Sequence, residues 1–174
     1  KMRILCVGAL SIVFCVSTFA QTPPLSCTNY ITVIADNGLV VDELNADEKR
    51  PPASMVKLIL VLMVAEGLET GKWGLDTEIT VSVTAQSMGG TQVQIKAGDV
   101  YSLDTLMQAV CVASANDGSY AVAEGLWGDE ATYLAAANVR AQELGMANTT
   151  IRSVHGLPPS AGELADETTA RDMA

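Results

Sequence analysis

Apolar β-branched and aromatic positions crowd Asn29–Asp36 (NYITVIAD), and an apolar pattern resumes over Leu39–Glu43 after Asn37-Gly38. Two short strand-prone runs around an Asn-Gly turn predict an antiparallel hairpin. Beyond the helix-blocking pair Pro51-Pro52 the pattern changes. Ser54–Glu69 is apolar nearly all round, with Leu58–Ala65 unbroken, which predicts a buried helix too short to span a bilayer. Apolar and polar positions alternate with period two over Glu78–Thr84 (EITVSVT) and Thr91–Ile95 (TQVQI), with Met88-Gly89-Gly90 between and a turn at Lys96–Asp99. These predict a second hairpin. Ser102 is placed to cap a helix through about Val112, a break follows at Ser114–Gly118, and helices resume over about Ser119–Leu126 and Asp129–Leu144, with Gly145 as a stop. A loop with His155-Gly156 and Pro158-Pro159 leads to a last helical stretch over Asp166–Ala174.

The amino terminus has a different pattern. Lys1 and Arg3 precede an apolar run from Ile4, which ends in Thr18-Phe19-Ala20. A basic start, an apolar middle and small residues at the end describe an export leader, cleaved after Ala20. The run is shorter than the roughly 20 apolar residues of a span and contains Ser11, Ser17 and Thr18. The expected organisation is a signal peptide over 1–20, a leader segment over 21–28 and one domain over 29–174, exported to the periplasm or the outer face of the cytoplasmic membrane. Leu25-Ser26-Cys27 is a second, weaker reading as a lipidation site, since Cys27 lies well past the apolar run.

Composition narrows the partners. Ten basic against twenty acidic residues give a net charge of −10, which repels phosphate backbones and argues against nucleic acid. One histidine, His155, and four cysteines without ligand spacing argue against a metal site. No organic cofactor is implied either. Cys111 falls in an apolar helical stretch, where a buried thiol is expected, and no disulfide with Cys27 is expected. Trp73, Trp127 and Tyr133 are spread along the chain and read as packing residues rather than a sugar platform.

The candidate chemistry begins with Ser54 and Lys57. Three residues apart at a helix start, they project from one face, so hydroxyl and amine can touch. A serine needs a base to become a nucleophile, and a lysine among Leu58, Ile59, Leu60 and Val61 is biased toward its neutral form. The spacing alone also fits an N-cap serine beside a solvated lysine. Ser114-Ala115-Asn116 sits in the break between two apolar helices. Ser114 can pass a proton to a leaving amine and Asn116 can hold a substrate peptide group; both residues equally fit ordinary helix ends. His155 reads as a loop residue without a catalytic role.

PPASMVKL, MGGTQVQIKAGD, ASANDGSYAVAE, ANVRAQELGMANTT, VHGL and TTARDMA occur in an order that resembles the serine-type D-alanyl-D-alanine carboxypeptidases, the low-molecular-mass penicillin-binding proteins, over about residues 29–174. The resemblance implies an α/β fold of the penicillin-binding and β-lactamase type: an antiparallel sheet with flanking helices, joined to a mostly helical region. It implies Ser54 as nucleophile, Lys57 as general base, Ser114 as proton relay and Asn116 as substrate holder. The implied partners are peptidoglycan stem peptides and β-lactam antibiotics, with membrane-surface association through a C-terminal amphipathic segment expected beyond these 174 residues. Two alternatives stay open. A serine β-lactamase needs a glutamate for deacylation, for which Glu143 and Glu163 are the candidates by position, and a non-catalytic wall-binding protein needs only the cleft. The family's Lys-Thr-Gly motif is not among the 174 residues, and Thr70-Gly71-Lys72 runs in the wrong order. The expectation is a truncated catalytic domain, poorly folded alone, with an open strand edge at Asn29–Glu43.

Overall fold

A computed structural model describes residues 26–174. The leader expected over 1–20 lies outside the described residues. Strands β1 (Tyr30–Val33) and β2 (Val40–Leu44) pair antiparallel, with Tyr30 opposite Leu44 and a register shift between Thr32 and Val33. The hairpin forms where the β-branched runs around Asn37-Gly38 place it. Its turn is wider than two residues: the N–H of Ile34 donates to the Leu39 carbonyl at 2.9 Å, and Asn37 Oδ1 accepts the Leu39 N–H at 3.0 Å. β2 is exposed along its whole length, and Val41 is 62% exposed.

A single 3-10 turn over Ala53–Val56 leads into helix α1 (Lys57–Glu69). The expectation of a fully buried helix is corrected here. Leu60 and Val64 lie in the core, whereas Leu58 is 55% exposed. A helix apolar on every side has no preferred face, so packing against α3 (Leu103–Ala113), α4 (Asn116–Trp127) and α5 (Glu130–Glu143) covers one side only among the described residues.

The second hairpin also differs from the expectation. β3 (Glu78–Thr80) pairs antiparallel with β4 (Val100–Ser102), not with Thr91–Ile95, and Val83–Gln86 forms a short helix, α2, capped by Ser82. The reason is Asp117. It is 1% exposed, and its carboxylate accepts the N–H groups of Val93 and Ile95 at 3.2 Å and of Gly118 at 2.9 Å. The donors that a strand partner would take are bound by a side chain, so the extended 91–95 segment stays outside the sheet. Asp117→Ala strands the buried donors of Ile95 and Gly118 at about 1–3 kcal/mol each and frees that of the more exposed Val93. We expect a loss of at least ~2 kcal/mol in urea unfolding; a change under ~0.5 kcal/mol, the scale of an ordinary surface substitution, would mean that the carboxylate holds nothing.

Ser102 caps α3 by accepting the Thr105 N–H, and Asp129 caps α5 through Thr132. α1 and α5 are tied by a forked Arg140–Glu66 pair with a shortest contact of 2.6 Å. Trp73 comes from a distant part of the sequence to meet Trp127, which in turn meets Tyr133, and the rings stack edge to face with centroids 4.9 and 5.2 Å apart. They pack against the core, with Tyr133 fully buried.

The last helix, α6, is only Ala170–Met173, shorter than the expected Asp166–Ala174. Thr168 pairs its backbone with Arg50 and Glu167 with Thr150, and Asp166 turns back to bind the backbone at Arg152 and Ser153. These contacts hold residues 166–168 extended until Thr169 caps the turn. Cys111 is exposed, against the expectation of a buried thiol, because α3 turns that side away from the core; Cys27 is exposed as well, and among the described residues neither is in a disulfide.

Candidate active site

Pro52 precedes the 3-10 turn, and Ala53 takes a left-handed conformation (φ 50°), which sets Ser54 at the start of the turn. The three-residue spacing then brings Ser54 Oγ to 3.1 Å from Lys57 Nζ. Ser54 is exposed, whereas Lys57 is only 4% exposed. Across the cleft, α3 ends at Ser114, again left-handed (φ 56°, ψ 36°), and α4 begins at Asn116. This two-residue break turns Ser114 Oγ to 3.4 Å and Asn116 Oδ1 to 2.8 Å from Lys57 Nζ. Strained non-glycine backbone at Ala53 and Ser114, on both sides of one amine, is the kind that surrounding structure must hold in place. All four residues singled out in the sequence meet at one point.

A fifth group joins them: the His155 backbone carbonyl accepts from Lys57 Nζ at 3.0 Å. Asn116 Oδ1 and this carbonyl can only accept hydrogen bonds. When Lys57 is neutral, its two N–H bonds satisfy those two oxygens, and its lone pair is left for a hydroxyl. Burial pushes the Lys57 pKa down, and none of the contacts to its amine is a carboxylate. The arrangement favours an amine able to take a proton from Ser54.

Asn116 is 2% exposed, and its Nδ2 donates to the Gly89 carbonyl at 2.8 Å. The amide therefore fixes Lys57 on one side and the 88–90 loop on the other, leaving a single N–H for anything else. The sequence did not point to His155 O, since a backbone carbonyl leaves no mark in residue type. Its one trace is Gly156 (φ 75°), where an added Cβ would lie 2.0 Å from Ala53 O. The His155 loop is thus pressed against the turn that carries Ser54.

A hollow of about 380 Å³ opens beside Ser54, Lys57 and Ser114, walled by Leu58, Val61, Val110 and Cys111. A larger one of about 580 Å³ lies beyond His155, between Glu130 and the 157–166 loop; its Ser153 hydroxyl is bound to Asp166 at 2.6 Å and faces no amine. Of the two hollows, the smaller is the one lined by Ser54, Lys57 and Ser114. Glu143 pairs with Arg140 at 3.1 Å on α5, and Glu163 accepts the Ser160 N–H at 3.1 Å. Neither touches the lysine cluster. Among the described residues no group of three or more His, Cys, Asp or Glu could hold a metal, and no helix is long and apolar enough to cross a membrane.

The sequence matches the D-alanyl-D-alanine carboxypeptidase family, peptidase S11, over residues 16–174. The chain belongs to that family. Among its carboxypeptidase relatives, DacF of Bacillus subtilis is 31% identical over 98% of this chain and 44% of its own length. The crystal structure of the carboxypeptidase DacD from Francisella tularensis superimposes with a TM-score of 0.82 at 35% identity, over 87% of this chain and 36% of that one. Penicillin-binding protein D2 of Listeria monocytogenes, solved in an ampicillin-bound form, gives 0.74 at 25% identity, over 87% and 60%. The fold is therefore the α/β penicillin-binding fold, and the chain spans less than two thirds of the length of each of these relatives.

Proposed function

We propose that this chain carries the nucleophile and base of a serine D-alanyl-D-alanine carboxypeptidase acting on peptidoglycan stem peptides. The observation that carries the reading is the buried Lys57 amine, 3.1 Å from Ser54 Oγ and 3.4 Å from Ser114 Oγ. Neutral Lys57 takes the Ser54 proton as Oγ attacks the carbonyl carbon between the two terminal D-alanines. The proton passes through Ser114 to the departing nitrogen, the C–N bond breaks, and D-alanine leaves with Ser54 acylated. Water then attacks the ester, frees the shortened peptide and restores the hydroxyl. The Ser54 N–H, in the first turn of its 3-10 segment, is free to donate to the oxyanion. Asn116 holds the base in place and has one N–H left for the substrate backbone.

A penicillin, which presents an acyl carbon in place of the peptide carbonyl, would acylate the same serine. The remote positions of Glu143 and Glu163 weigh against a β-lactamase. The basic-then-apolar leader supports export, which puts the enzyme beside its wall substrate. In the full chain, a fluorescent penicillin should label the protein, and D-alanine should be released from a stem peptide; Ser54→Ala should abolish both. Peptide binding without any Ser54-dependent label would leave a wall-binding protein instead. Fast penicillin turnover without D-alanine release would favour the β-lactamase.

A further inference from the structure

One peptide unit links the lysine to a carboxylate on another loop. Its carbonyl, His155 O, accepts from Lys57 Nζ at 3.0 Å, and its N–H, that of Gly156, donates to Ser153 Oγ at 2.8 Å. Ser153 Oγ donates in turn to Asp166 Oδ2 at 2.6 Å. Asp166 is 4% exposed, and its Oδ1 accepts the N–H groups of Arg152 at 2.6 Å and Ser153 at 2.9 Å. A carboxylate can only accept, so the Ser153 proton is fixed on the Asp166 side and its lone pair on the Gly156 side. Every donor in the run therefore points one way, from amine to carboxylate.

We propose that Asp166 is a positioning residue for Lys57, acting through Ser153 and the His155–Gly156 peptide, and that this hydrogen-bond chain sets how readily the amine gives up its proton. Chains aligned in one direction polarise each member. Here the carboxylate draws on the Ser153 hydroxyl, the hydroxyl on the Gly156 N–H, and the peptide responds with more negative charge on the oxygen facing Lys57. That oxygen favours the ammonium, whereas burial favours the neutral amine. The chain thus limits the depression of Lys57 and holds the carbonyl in register with it.

The other groups facing this chain are few. The His155 imidazole accepts the Leu157 N–H on Nδ1 at 3.0 Å and is itself held low, chiefly by burial. The Tyr133 phenol, from α5, is raised by burial and then by the charge of Asp166, and its buried hydroxyl has no hydrogen-bond partner among the described residues. Glu130 bears on His155 from the start of α5. Arg152 donates to the Ala165 carbonyl and lies 3.5 Å from Glu167. From α1, the 3-10 turn and the α3–α4 break, Lys57 meets only Ser54, Ser114 and Asn116, all uncharged.

The inference rests on Lys57 as the base, and the experiment separates the two. In the full chain labelled with ¹³C-lysine, the Lys57 Cε resonance, assigned by its loss in Lys57→Met, is titrated with pH. Ser153→Ala should lower the Lys57 midpoint by about half a pH unit, about threefold in protonation constant. Asp166→Asn should lower it in the same direction while its carbonyl oxygen still accepts the Arg152 and Ser153 N–H groups. Ser153→Thr, which keeps the hydroxyl, should restore the wild-type midpoint, and the double variant should fall no further than Ser153→Ala alone. The acid limb of penicillin acylation should move down with the resonance. A folded Ser153→Ala or Asp166→Asn whose Lys57 midpoint is unchanged or higher would overturn the inference. A midpoint that falls while the acylation profile stays still would uphold it and reject Lys57 as base.

Discussion

Lys57→Met should slow acylation of Ser54 by penicillin about 10²- to 10⁴-fold, the range that loss of a general base produces. Methionine matches the lysine stem in length and suits a site only 4% exposed, so the loss falls on chemistry more than on folding. In the wild type the acylation rate should rise with pH as Lys57 gives up its proton, and burial places that rise below the ordinary lysine range. Below this point the ammonium has no lone pair for Ser54. The variant should lack the rise, since the thioether that replaces the amine cannot titrate. Stopped-flow or quench measurements of acylation between neutral and alkaline pH check both statements; a variant within threefold of wild type would mean that Ser54 does not depend on the amine.

Gly156→Ala should damage both stability and chemistry. The glycine has φ 75°, and a Cβ there would lie 2.0 Å from Ala53 O and 2.3 Å from Ala53 C. A left-handed alanine costs about 1–3 kcal/mol, and the overlap is with backbone, which cannot rotate aside. At about 3 kcal/mol and roughly 2–4 °C per kcal/mol for a chain of this size, Tm should fall about 6–12 °C. Gly162→Ala is the control, since Gly162 is also left-handed (φ 92°) but has nothing within 4 Å. It should cost only the backbone share and leave acylation unchanged. Moving the 155–156 peptide away from Ala53 withdraws the His155 carbonyl from Lys57 and disturbs the turn bearing Ser54, so acylation of Gly156→Ala should drop even below its new Tm. Equal effects of the two substitutions would show that the contact with Ala53 is not tight.

Local spacing explains how much of the site was legible. Ser54 and Lys57 meet because an i,i+3 pair in a helical turn must, and Ser114 and Asn116 meet them because a short break between two apolar helices leaves polar tips in the cleft. The first hairpin was legible for the same reason, as its β-branched runs and turn residues lie within fifteen positions of one another. Thr91–Ile95 was not, because its period-two pattern reports which side chains can be buried and says nothing about what binds the backbone; Asp117, more than twenty residues away, takes the N–H groups that a strand would have used. The burial of α1 was overread because an all-apolar helix has no polar stripe to mark its outer face, and Cys111 lies on such an unmarked face of α3. The contact of His155 O with Lys57 depends on tertiary approach across about a hundred residues, and Asp166 reaches Ser153 through a loop without a periodic pattern.

The most direct measurement is to react the full chain with a penicillin and map the covalent adduct by peptide mass spectrometry. One acyl group on the peptide containing Ser54, absent in Ser54→Ala and slow to appear in Lys57→Met, is the expected result. An adduct on Ser114 or elsewhere, or one that forms equally fast without the lysine, would contradict a serine activated by the buried amine.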